Sequence, residues 1–120
     1  MLVPKALAQD SIVYHQSKLN MFSNKYVFFS NGTFKHYYQT DDGQLWYGFG
    51  EFEDKGRIRI LKFKDPDLTM KIDYMRIHYE ANFNRKLVKR ANKFKSKDFY
   101  NTTRNKSVFF EEATTMPNSL

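Results

Sequence analysis

The feature that most restricts this chain is the spacing of its turn residues between positions 24 and 64. Ser30-Asn31-Gly32-Thr33, Asp41-Asp42-Gly43 and Asp54-Lys55-Gly56 recur at hairpin intervals, and the segments between them alternate apolar and polar residues. Strands are expected from Lys25 to Phe29, Phe34 to Thr40, Gln44 to Glu53 and Arg57 to Lys64. The Asn31-Gly32 pair suits a type I′ turn, in which both central residues take positive φ. Period two sets Phe34, His36 and Tyr38 on one face of the second strand, and Lys35, Tyr37 and Gln39 on the other. In the third strand Leu45, Tyr47 and Phe49 share a face, opposite Trp46, Gly48, Gly50 and Phe52. Two glycines on one face weaken a flat sheet but allow coiling or the close approach of a ring, so the meander is expected to curve.

Composition agrees with a sheet. Twenty-one aromatic residues outnumber Leu, Ile and Val together, and rings fit a pleated surface better than a helix. A length of 120 residues fits a single domain over 1–120. Without cysteine, disulfide scaffolds, thiolate metal sites and thiol nucleophiles are all excluded. No run of apolar residues is long enough for a transmembrane helix.

Beyond position 64 the pattern divides. Met75, Ile77, Tyr79, Ala81 and Phe83 alternate with Arg76, His78, Glu80, Asn82 and Asn84, which reads as one long half-buried strand with the apolar set inside. From Phe83 to Lys97 two readings stand side by side. As a basic amphipathic C-terminal helix, Phe83, Leu87, Val88, Ala91 and Phe94 form one arc and the cations the other. As a hairpin, Arg90-Ala91-Asn92 is the turn between Leu87-Val88 and a return strand from Phe94. Val108 to Glu112 reads as a last short strand and 113–120 as a flexible tail. At the other end, Ala6-Leu7-Ala8 behind Lys5 has the small-x-small form of a signal-peptidase site, so residues 1–10 read as a signal-peptide remnant.

The charge is concentrated. Between Arg85 and Lys106 nine cations face a single acid, Asp98, whereas the rest of the chain is close to neutral. Such a field favours anionic partners in a salt-dependent way. Arg85, Lys86, Lys89, Arg90, Lys93 and Lys97 are the candidate anion-binding residues.

Signs of catalysis are few. His15, His36 and His78 lie in separate elements without ligand spacing, so no metal site is expected, and no cofactor fingerprint occurs. The carboxylates in the turns are explained by turn preference. The chain is not expected to be an enzyme.

The text Phe29-Ser30-Asn31-Gly32-Thr33-Phe34, then Tyr47-Gly48-Phe49-Gly50-Glu51-Phe52, then Arg57 to Phe63, resembles that of small exported lipocalin-like β-meander proteins of bacteria. The resemblance covers about a third of the chain. It implies a small antiparallel barrel or curved sheet with a ligand-binding or structural role, and carries over no catalytic residue. The expected class is therefore mainly β, with an open choice over the C-terminal helix. The expected function is a non-catalytic exported module whose apolar pocket is lined by Phe28, Phe34, Tyr38, Tyr47, Phe49 and Ile60 and takes an apolar small molecule. The alternative is a binder of nucleic acid, lipid headgroups or an acidic polymer through segment 85–106, with Tyr37 or Trp46 available for stacking. Export, to the periplasm or beyond, disfavours nucleic acid; a cytoplasmic setting is the other choice. A monomer or weak dimer is expected.

Overall fold

A computed structural model of the chain describes residues 10–16, 23–40, 42–65, 77–100 and 107–113. It contains β1 (Ser11–Gln16), β2 (Ser23–Phe29), β3 (Thr33–Gln39), β4 (Leu45–Lys55), β5 (Ile58–Phe63), β6 (Ile77–Glu80), β7 (Asn84–Arg90), β8 (Lys93–Lys97) and β9 (Ser107–Glu112). Strands β1, β2, β3, β4, β5, β7, β8 and β9 pair in that order, each antiparallel to the next, and β9 returns to β1. Eight strands thus close a barrel, which removes the open edges that a meander would leave. The short β6 runs parallel to the first half of β4, from Leu45↔Ile77 to Gly48↔Glu80, where β5 no longer pairs.

The four expected hairpin strands are present as β2 to β5, with two local differences. In the β2–β3 turn only Gly32 takes a positive φ, of 89°, while the Asn31 side chain accepts hydrogen bonds from the backbone and hydroxyl of Thr33. Asn31 thus closes the loop with its carboxamide in place of a left-handed backbone, and the turn is not type I′. In the β4–β5 turn Lys55 pairs with Ile58, so Gly56 and Arg57 form a two-residue loop with φ of 61° at the glycine.

The glycines of β4 face the interior, opposite His36 and Phe34 of β3. A Cβ at Gly48 would overlap the Phe63 ring, and one at Gly50 would overlap the Lys62 carbonyl oxygen. The core of the barrel consists of Tyr14, Tyr26, Phe28, Phe34, Leu61, Phe63, Leu87, Phe94 and Phe110, seven of them aromatic. Rings meet edge to face, Phe34 with Phe63 at 4.9 Å, Tyr14 with Phe94 at 4.9 Å and Tyr26 with Phe110 at 5.0 Å.

Three expectations are corrected. No helix occurs among the described residues: the basic segment is the β7–β8 hairpin, in which Arg90 opposes Lys93 across Ala91 and Asn92. The like charges that would adjoin at i, i+4 on a helix stay on one face of the hairpin, Lys86 with Arg90 and Lys93 with Lys97, but the extended strand holds each pair about 13 Å apart. The long strand expected over 75–84 is instead β6, a bend with Asn82 at φ 60°, and the start of β7. Its phase is also reversed, since Glu80 is buried at 8% exposure while Tyr79 is only half-buried. Finally, β1 was not expected as a strand; it holds the barrel shut between β2 and β9, and Ala113, assigned to the tail, donates from its backbone to Val13. The Ala6-Leu7-Ala8 segment and residues 114–120 lie outside the described residues.

Candidate functional site

The six apolar pocket candidates separate by strand phase. Phe28 and Phe34 are core residues, and Tyr38 lies on the same inner face, its ring stacked on Tyr100 at 3.7 Å. Tyr47 and Phe49 alternate with the inward glycines of β4, and Ile60 alternates with buried Leu61, so these three lie on the outside of the barrel. They do not share a pocket with the first three. The expectation failed because both faces of β4 carry rings, and the sequence alone gives no sign of which face is inside.

Phe28 does border an opening at one end of the barrel. A pocket of about 220 Å³ there is lined by Asp10, Ile12, Phe28, Phe29, Ser30, Phe52 and Arg59. Ile12 pairs with Phe28 and so points inward, yet it is 45% exposed because the barrel end above it is open. Arg59 spreads its guanidinium over three rings, 4.6 Å from the Phe28 centroid, 4.4 Å from Phe52 and 5.0 Å from Phe94. It donates two hydrogen bonds to Asp54, at 2.7 and 2.9 Å, which hold that carboxyl below its usual range.

Alternation likewise divides the anion candidates. Arg85, Leu87 and Lys89 form the inner phase of β7: Arg85 is buried, and the Lys89 ammonium lies 5.0 Å from the Phe94 ring centroid and 5.8 Å from that of Tyr14. Lys86 and Arg90 of β7 point outward, as do Lys93 and Lys97 of β8, joined by Lys95. A helix would have collected all six candidates on one arc; the hairpin leaves four of them, plus Lys95, on the outer face. There a groove of about 310 Å³ is lined by Lys86, Val88, Arg90, Lys95, Ser96, Lys97 and Ser107. On the outside of the barrel at β4 and β5, Lys62 pairs with Glu53 at 3.1 Å and Lys64 with Glu51 at 3.0 Å, while Lys25 and Lys35 lie over the rings of Tyr37 and Phe29. On the β7–β8 face Lys93 reaches Glu111 at 3.5 Å, and no ion pair engages Lys86, Arg90, Lys95 or Lys97 among the described residues. Tyr37 and Trp46 do not adjoin this face: Tyr37 lies beside Tyr47 at 5.3 Å, and Trp46 stacks on His78 at 4.4 Å.

A third cluster is buried at the other end of the barrel. His36, at 0% exposure, has Nδ1 2.6 Å from Glu80 Oε1 and Nε2 2.8 Å from the Asn24 side-chain oxygen. Glu80 Oε2 accepts hydrogen bonds from Arg85, at 2.7 Å, and from the Tyr100 hydroxyl. Arg85 donates further to Tyr26 at 3.1 Å, and its Nε is buried without a partner among the described residues. The guanidinium is enclosed by Phe63, Phe83 and Phe99, at 5.0, 5.0 and 4.3 Å. Burial lowers the His36 pKa below its ordinary 6.5, so the ring is neutral at pH 7. Asn24 in turn donates from its amide nitrogen to the Gln16 side-chain oxygen at 3.0 Å. Burial alone would raise Glu80, but the hydrogen bonds from His36 and Tyr100 and the charge of Arg85 hold it below its ordinary range. Both ring nitrogens and both carboxylate oxygens are engaged inside the wall, so what this cluster supplies is internal structure.

Sequence reasoning missed Glu80, Tyr100, Asn24 and Arg59. For Arg59 a signal existed, because it shares the phase of Leu61 and Phe63 along β5. For Glu80 none did, because its partners are contributed by β3 and β7. No family model, curated protein or solved structure matches this chain.

Proposed function

We propose that this chain is a non-catalytic binding barrel that takes an anionic partner on the outer face of the β7–β8 hairpin. The observation that carries this reading is the groove bordered by Lys86, Arg90, Lys95 and Lys97, four cations on two adjacent strands with no acid against them among the described residues. Such a surface attracts polyanions through the release of their counterions. Immobilised heparin is expected to retain the protein at low ionic strength and release it as salt rises. The Lys86→Gln, Arg90→Gln, Lys95→Gln, Lys97→Gln variant is expected to pass through unretained. Equal retention of that variant would refute the reading, and since all four side chains point outward its fold should be intact.

A second reading is supported by the opening beneath Ile12, where Phe28 and Phe52 form apolar walls. Barrels of eight strands have room for their own side chains or one small ligand, and here an apolar small molecule would enter at the end of the barrel. An uncharged apolar fluorophore should then brighten with the parent protein and lose that signal with Ile12→Arg. Kinship with small exported lipocalin-like proteins, and export with it, belongs to the same proposal, supported by the first-to-last closure of an eight-stranded meander.

A further inference from the structure

We infer that the partner of the basic face is the surface of an anionic lipid bilayer, a proposal that rests on the anion reading and narrows it. The argument is the register. Ile58 of β5 opposes Val88 of β7, Val88 opposes Lys95 of β8, and Lys95 opposes Phe109 of β9. Directly opposed residues share a face, and the neighbours Leu87, Phe94 and Phe110 point into the core, so this row is on the outside. Across four strands about 4.8 Å apart it spans about 14 Å. Ile58 is 36% exposed at one end and Phe109 42% exposed at the other.

Cations flank this row on both sides. Two residues along the strands in one direction stand Lys86 and Lys97; in the other stand Arg90 and Lys93. The Glu111 carboxylate beside this row is paired with Lys93 at 3.5 Å. Lys95 sits within the row, where its aliphatic stem can lie along Val88 while its ammonium reaches outward. An apolar stripe between two rows of cations matches the layering of a lipid surface, with charged headgroups above and acyl chains below.

A nucleic acid or acidic polysaccharide answers only half of this pattern. Phosphates or sulfates would satisfy the cations, yet Ile58 and Val88 have no π face on which a base could stack, and Phe109 is the one ring in the row. The bilayer uses both halves.

The test is co-sedimentation of the full chain with phosphatidylcholine vesicles, with and without phosphatidylserine, beside heparin retention. Binding is expected only with phosphatidylserine and should fall as salt rises. Lys95→Gln and Lys97→Gln should each lower it about fivefold at low salt. The discriminating variant is Phe109→Ser together with Ile58→Ser, both exposed positions, with circular dichroism verifying the fold. It should lose vesicle binding several-fold while heparin retention stays at the parent level. Unchanged vesicle binding by this variant overturns the lipid inference, as does displacement of the parent from vesicles by an equal charge of single-stranded oligonucleotide. In both cases heparin retention would keep the anion reading. Failure to bind either heparin or phosphatidylserine vesicles would overturn both.

Discussion

His36 sits between Asn24 and Glu80 with no exposure to solvent, and this one imidazole gives the barrel an acid limit. Burial lowers its pKa, the hydrogen bond and charge of Glu80 pull it back in part, and Arg85 pushes it lower again. As pH falls below 6.5 the unfolded chain takes up a proton that the folded chain refuses. The stability contributed by neutral His36 is therefore complete above that pH and lost on the way down to the folded value. The urea midpoint of the parent is expected to fall between roughly pH 7.5 and pH 5.5, and that fall should be much smaller in His36→Gln. Glu80 adds a second loss at lower pH. Its carboxyl is held below its ordinary 4.5 on folding, so its contribution is complete above 4.5 and is lost as pH falls through the folded value. Removing its charge altogether exposes what the pair does. Glu80→Gln leaves the Arg85 guanidinium buried without a counter-charge and is expected to cost about 3–5 kcal/mol in urea unfolding.

At the scale of the element, β7 and β8 are joined by a turn that its sequence does not favour. Ala91 is held at φ 54°, a left-handed conformation that costs an L residue about 1–2 kcal/mol. Ala91→Gly relieves this strain but adds freedom to the unfolded chain, so a net gain of about 0.5 kcal/mol is expected in thermal or chemical unfolding. The absence of a Gly or Asn-Gly signal at this turn is also why the hairpin was not distinguishable from a helix in the sequence. Strand β4 makes the opposite case. At Gly50 an added Cβ meets backbone, the Lys62 carbonyl, which cannot rotate away as a side chain can. Gly50→Ala is expected to cost about 3 kcal/mol or more, and Gly48→Ala less, because the obstacle there is the Phe63 ring. Unfolding midpoints of the two variants side by side would check the order.

For the molecule as a whole, stability depends on joining the first strand to the last. Tyr14, His15 and Gln16 of β1 pair with Glu112, Glu111 and Phe110 of β9, and Phe110 fills the core at 2% exposure. A chain ended before Ser107 would leave β1 and β8 as open edges and remove that ring. Such a truncation is expected to abolish cooperative unfolding, followed by the fluorescence of Trp46, and to promote self-association through the exposed edges. The hairpins β2 to β5 alone would then not suffice, although they are the most legible part of the sequence.

The sequence by itself determined the local features: the β class, the β2–β5 meander, the inner phase of β3, and the curvature allowed by Gly48 and Gly50. Turn preference, period two and missing side chains act over a few residues, so a single chain displays them directly. The tertiary structure alone decided that the basic segment is a hairpin, that Arg85 and Lys89 turn inward while Lys86, Arg90, Lys93 and Lys97 turn outward, and that Glu80, not Tyr79, is buried. Those outcomes depend on partners far along the chain. Glu80 can enter the core only because His36 from β3 and Arg85 from β7 meet it there, and no periodicity within 77–80 contains that information.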